Sequence, residues 1–200
     1  MAEIGQRERE KQRRRTAMLS AAFALFTERG YEATTTTDIA ERAGVSERSV
    51  RLYFPAKQDI AVNRFTTSTD RLVHALEQRA EGVSTLEVIA DYLHAKEAAP
   101  DEDGLREASR QMFIANPQLR ALRWAYAGSP LAALTQAYAA DLSLPAHHQA
   151  AALAASATQA MLLDLADLAP GPQHSAAVGT ALAMLDGLVH ALDTSDATVP

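Results

Sequence analysis

Arg48 and Arg51 stand three residues apart in the stretch Ser46-Glu47-Arg48-Ser49-Val50-Arg51. On a helix, residues at that spacing share roughly one face, so the two guanidinium groups point the same way. A guanidinium offers N–H donors in a rigid planar fork that matches two adjacent acceptors. Guanine O6 and N7 in the major groove are such a pair, and one bidentate contact there discriminates by about 1–3 kcal/mol. Arg51 has the reach for a second base or for a phosphate. Glu47 has the complementary capacity: its carboxylate accepts from a cytosine amine or repels phosphate in wrong registers. The intervening side chains are small, which lets a helix carrying these groups approach a groove closely.

Two short helices must hold such a reading head. Residues 7–29 read as a first helix, charged in its first half (Arg7, Arg9, Lys11, Arg13, Arg14, Arg15). Its second half carries Met18, Ala22, Leu25 and Phe26 as one apolar stripe at three-to-four spacing. Gly30 is a stop signal and Tyr31 packs after it. Thr35 caps a helix over 36–43, with Asp38 three residues on completing a capping-box variant. Gly44 ends that helix, and Ser46 caps a third that runs to about Phe54 before Pro55. Two short helices around a glycine-containing turn make a helix-turn-helix over about 35–54. In it Ala40 must be small where the helices cross, Gly44 supplies the turn, and Val50 fills the wedge. A helix-turn-helix places the start of its second helix in the major groove.

The segment AAFALFTERGYEATTTTDIAERAGVSERSVRLYFPAKQDI resembles the N-terminal domain of TetR-family transcriptional regulators. The resemblance covers roughly residues 12–60. It rests on Leu25-Phe26, Gly30-Tyr31, Thr35, Ile39-Ala40, Ala43-Gly44-Val45-Ser46, Tyr53-Phe54 and Lys57 as an ordered set. The chain departs from the pattern at Arg51, where the family usually has an aromatic, and at Arg48, often Gly or Pro. The resemblance implies phosphate contacts for Thr35, Ser49, Tyr53 and Lys57; Ser46, the cap, is placed with them. For Thr35 and Lys57 physics agrees, since free N–H groups and partial positive charge gather at a helix N-terminus.

The remainder reads as helix: 59–80, 84–98, 105–115, 117–140 with an interruption near Gly128-Ser129-Pro130, Pro145 to about Leu168, and 175–192. The expected fold is therefore all-α. A three-helix DNA-binding domain over 1–58 precedes a helical effector-binding and dimerisation domain over 59–200. Specific binding needs two recognition helices, so a two-fold dimer on a palindromic site is expected. Val178, Leu182, Leu185, Val189 and Leu192 keep four-three spacing, as do Ala154, Thr158, Met161, Leu165 and Leu168. Two such stripes per chain are expected to form the dimer interface, the alternative being that one faces its own core. The aromatic and polar candidates for an effector pocket are Tyr92, His94, Met112, Phe113, Trp124 and Tyr126.

Charge supports this division. Net charge is −6, but residues 1–64 hold 12 basic against 9 acidic side chains, and the rest hold 7 against 16. A basic module on an acidic body points to a polyanion partner for the first part. Cysteine is absent, which removes disulfides, thiolate metal sites and cysteine nucleophiles. His147-His148 are adjacent and lack a carboxylate cluster, so no metal is expected; no cofactor is expected either. The sequence holds no H-E-x-x-H, no G-x-S-x-G and no Gly-rich phosphate loop, so no enzyme is expected. The charged first fifteen residues predict no secretory signal, and no apolar run reads as a membrane span; a cytoplasmic protein is expected. The function that follows is a ligand-responsive transcriptional regulator, a repressor released from DNA by a small-molecule effector. The alternative is a helical protein-interaction module that has lost sequence-specific DNA readout.

Overall fold

A computed structural model describes residues 2–101, 103–126 and 128–196, with side chains from Gln6 to Thr194. Ten helices are seen there: α1 (Ala2–Arg29), α2 (Thr36–Ala43), α3 (Glu47–Tyr53), α4 (Lys57–Glu77), α5 (Thr85–Ala98), α6 (Leu105–Ala115), α7 (Gln118–Ala125), α8 (Gly128–Asp141), α9 (Gln149–Leu165) and α10 (Pro172–Asp196). No strand occurs among the described residues, so the fold is all-α.

The helices divide into two compact units. The first takes the chain up to Phe65 together with Asp101–Trp124; the second takes Thr66–Pro100 and the chain from Ala125 on. The boundary expected at 58/59 thus falls inside the first unit. Ile60 and Ala61 are fully buried with the N-terminal helices, and so are Leu105, Met112, Phe113 and Leu119 from α6 and α7. The acidic segment before α6 has a structural task. Asp103 pairs with Arg64 at 2.6 Å and also accepts the Leu105 N–H at 3.1 Å, which starts α6. Asn116, 1% exposed, ties α6 to the end of α1. Its amide donates to Phe26 O at 2.8 Å and its oxygen accepts from Tyr31 N at 2.7 Å.

The second unit packs α5, α8, α9 and α10 around Ile89, Leu134, Tyr138, Ala151, Ala154, Ala155 and Val178. Alanines on α9 let the helices approach closely, and the Tyr138 hydroxyl meets the Thr158 hydroxyl at 2.8 Å in the core. Arg79 pairs with Asp141 at 2.6 Å, and the other oxygen of Asp141 accepts the Thr85 N–H, which joins the start of α5 to the end of α8.

Several element ends differ from the sequence reading. The interruption expected near Gly128-Ser129-Pro130 falls just before it: α7 ends at Ala125, and Gly128-Ser129-Pro130 is the first turn of α8, a place where proline costs no hydrogen bond. The helix expected from Pro145 begins at Gln149. Residues 145–148 form a turn, and the His148 ring nitrogen caps the helix by accepting from Ala150 N. By length and composition Pro172–Thr194 would pass for a membrane span, against the sequence reading. Its apolar character comes largely from alanines and leucines, and Asp186 and His190 interrupt it.

The expected dimer stripes face inward. Thr158, Leu165, Val178 and Leu185 are buried in the second unit's own core, and Met161, Leu182, Val189 and Leu192 are half-buried against it. Leu168 is exposed, after the end of α9. A four-three repeat marks a buried face but does not say which partner buries it. The faces left open are Thr180, Ala183, Met184 and Gly187 on α10, and Leu153 and Ser156 on α9.

Candidate nucleic-acid interface

The α2–α3 pair forms as its caps dictate. The Thr35 hydroxyl accepts from Asp38 N at 3.1 Å, and the Asp38 carboxylate accepts from Thr35 N at 2.8 Å. Hydrogen bonds from the Thr35 hydroxyl and backbone N–H hold the Asp38 pKa below its usual 3.8. Gly44 ends α2 at φ +66° and ψ 34°. An added Cβ there would meet nothing within 4 Å, so the left-handed backbone and not lack of room calls for glycine. Ile39, Ala40 and Val50 are buried where the helices cross, and burying a valine or isoleucine side chain contributes about 1.5–3 kcal/mol.

This packing turns one face of α3 outward. Arg48 is exposed and makes no bond to the protein among the described residues. Arg51 is 68% exposed, but its Nη2 donates to Glu47 Oε1 at 2.6 Å. The same carboxylate oxygen accepts the Thr36 hydroxyl at 3.1 Å. The Arg51 bond, then that from Thr36, holds the Glu47 pKa below 4.5. Glu47, expected from sequence to face a base, is engaged within the chain: it ties α3 to the start of α2 and holds Arg51 along the helix. Leu52 is 81% exposed on the same short helix, a feature the sequence reading passed over.

Of the phosphate candidates, Thr35 is exposed at the start of α2, and Ser46 and Ser49 bond to each other at 2.8 Å while Ser46 caps α3. Tyr53 is half-buried and shares an open groove with Arg7, Arg9, Lys11, Arg13 and Arg14 of α1. The basic half of α1 thus lies beside the end of the recognition helix. Lys57 departs from expectation. Its ammonium donates to Tyr31 O at 2.8 Å, Thr34 O at 3.0 Å and Glu32 O at 3.5 Å, and lies 4.3 Å from the Tyr31 ring centre. An ammonium has three donors, so Lys57 staples the α1–α2 turn in the DNA-free chain and would have to release a carbonyl to reach a phosphate.

The six effector candidates do not share one core. Met112 and Phe113 are buried in the first unit, with Arg123 stacked 4.2 Å over Phe113. Trp124 in that unit is 53% exposed. In the second unit Tyr92 bonds Ser68 at 2.6 Å, His94 is exposed and Tyr126 is half-buried. Burial, offset by the Ser68 bond, raises the Tyr92 pKa above 10. Another feature of that unit escaped the sequence reading: Gln159, 2% exposed, whose Oε1 meets no protein donor.

Comparison with known proteins bears on this surface. Residues 18–62 match the family model for bacterial regulatory proteins of the tetR family. Over 92 residues the chain is 32% identical to the HTH-type transcriptional regulator RutR of Escherichia coli, covering 46% of this chain and 43% of that protein. It is 31% identical over 91 residues to the HTH-type transcriptional regulator TcmR of Streptomyces glaucescens, 46% of this chain and 40% of that one. The match thus spans about two fifths of the length of these curated relatives. Among solved structures, Salmonella enterica GusR superposes with a TM-score of 0.62 at 19% identity, covering 88% of this chain and 95% of that one. NalD, described as the secondary repressor of the MexAB-OprM multidrug efflux pump in Pseudomonas aeruginosa, gives 0.56 at 19% identity over 86% and 95%. At these identities the structures share the fold.

Proposed function

We propose that this chain, which belongs to the TetR family of bacterial regulatory proteins, represses transcription by binding a palindromic operator as a homodimer and leaves it when a small molecule binds. The observation that carries the reading is Arg48. It is an unpaired guanidinium on the outward face of a capped recognition helix whose last residue, Tyr53, lines a basic groove on α1. Phosphate contacts from the α1 arginines and Tyr53 set the register, and Arg48 reads a guanine. Arg51 reaches a phosphate or a base by exchanging its Glu47 partner for it.

The second copy covers the open α10 face around Ala183, Met184 and Gly187, together with Leu153 and Ser156 of α9. Supporting this, within the apolar stretch Pro172–Thr194 only Val178, Ala181 and Leu185 are buried within the chain. The effector enters the second unit, where the unmatched Gln159 oxygen asks for a donor. It acts by binding better to a conformation that does not fit successive major grooves. The protein is cytoplasmic and performs no catalysis.

The test is selection of binding sites from random DNA, with wild type and Arg48→Ala in parallel. The reading expects a palindrome for wild type and one relaxed symmetric position for the variant, with specific affinity down about tenfold or more per half-site. Failure of the wild type to enrich any sequence would refute it.

A further inference from the structure

We propose that Leu52 reads the C5-methyl group of a thymine in each operator half-site, a base pair or two from the base contacted by Arg48. This rests on the DNA-binding reading above and adds a specificity-determining residue to it.

The helix α3 has sorted its apolar side chains. Val50 is fully buried, Phe54 just after the helix is 2% exposed, and Tyr53 packs half-buried against the same core. Leu52 alone of these stays in water, at 81% exposure. It lies four residues after Arg48, which puts the two side chains on one face a single helical turn apart. Folding gains nothing from an apolar side chain so exposed; the gain comes only when something covers it.

The surroundings select what covers it. Arg48 and the Arg51–Glu47 pair flank Leu52, so it does not belong to a continuous apolar patch of the size that docks another protein. A surface that accepts cations and one apolar group together is the major groove, where acceptor edges and phosphates surround a single apolar feature, the thymine methyl. One helical turn advances about 5.4 Å and one base step about 3.4 Å. The thymine is therefore one or two base pairs from the guanine read by Arg48.

The experiment uses the full chain and its selected operator. Each thymine of the half-site is replaced in turn, symmetrically, by deoxyuridine, which deletes only the methyl. At one position wild type loses about fourfold in affinity per half-site, the worth of one covered methyl. Leu52→Ala binds the unmodified operator about as weakly as wild type binds the deoxyuridine operator, and it no longer responds to the replacement. Because Leu52 is exposed, the variant keeps its thermal midpoint, and its salt dependence matches wild type since no phosphate contact is lost. The proposal is overturned if no deoxyuridine position changes wild-type affinity by more than about 1.5-fold, or if Leu52→Ala pays the same methyl penalty. A shift in sedimentation of the DNA-free protein on Leu52→Ala would also overturn it, because a protein surface would then cover the side chain. Enrichment of an operator without a methyl effect fails this proposal alone; no enrichment fails the DNA-binding reading as well.

Discussion

Replacing Asn116 tests whether α6 holds the end of α1 through one buried amide. The side chain donates to Phe26 O and Met112 O, both at 2.8 Å, and accepts from Tyr31 N at 2.7 Å. The two carbonyls are not orphaned by its loss. Phe26 O also receives the Gly30 N–H, and Met112 O the N–H of residue 116 itself, both at 3.1 Å. Their share is thus two ordinary bonds, about 0.5–1 kcal/mol each. The Tyr31 N–H loses its acceptor in a site where Asn116 is 1% exposed, which costs about 1–3 kcal/mol. Asn116→Ala should therefore destabilise the first unit by about 3 kcal/mol. For a chain of 200 residues that is about 6–12 °C in the midpoint of the transition that includes this unit. Asn116→Asp should be worse, because a buried carboxylate would face two carbonyl oxygens. The assay is urea denaturation followed by circular dichroism, with hydrogen exchange at residues 27–34 to locate the loss. A cost under 1 kcal/mol for alanine, or an aspartate variant milder than alanine, would refute the reasoning.

Two other outcomes follow from the same geometry. Asp38 has a folded pKa held below its usual 3.8 by bonds from Thr35. Its contribution is thus present above about pH 3.8 and lost as pH falls through the lower folded value. Asp38→Asn should flatten the part of a urea-midpoint profile that lies below about pH 4; an unchanged limb there would remove the cap from the account. Ala183→Glu places a charge on the open face of α10 without touching the core, so the chain should stay helical but sediment as a monomer. A dimer that survives this change would locate the second copy elsewhere.

What was legible in the sequence was local. The capping box of Thr35 and Asp38, the Gly44 stop and the Ser46 cap each involve residues within four positions of one another. Their chemistry fixes a helix end whatever the rest of the chain does. What stayed open in the sequence was relational. Val178 and Leu185 carry the same period whether a second copy or their own chain buries them. Met112 and Phe113 read as pocket residues because nothing near them in sequence shows that Phe26, some 90 residues earlier, lies under the same helix. Lys57 is the sharpest case. At a helix start it has the chemistry of a phosphate ligand, yet three carbonyls from residues 31–34 take its donors.

That case changes how the basic character of the first part should be weighed. The excess of three positive charges over residues 1–64 says little about which cations meet DNA. Lys57 is held by carbonyls, Arg64 by Asp103, Arg51 by Glu47, and Arg42 by a two-bond pair with Glu28. Arg15 lies against the Phe54 ring. These side chains build the domain before they bind anything, and each would have to give up a partner to reach a phosphate. The cations free to meet a polyanion without that cost are Arg48 and exposed arginines of α1 such as Arg9 and Arg13, which share a groove with Tyr53. On the proposed reading, affinity and base recognition would come from two different helices: α1 would supply cations that set the register, and α3 one unpaired guanidinium and one exposed leucine. The acidic body is consistent with this economy. On the proposed reading, the −9 of residues 65–200 lowers affinity for DNA of any sequence alike, which leaves the specific contacts of α3 a larger share of the binding that remains.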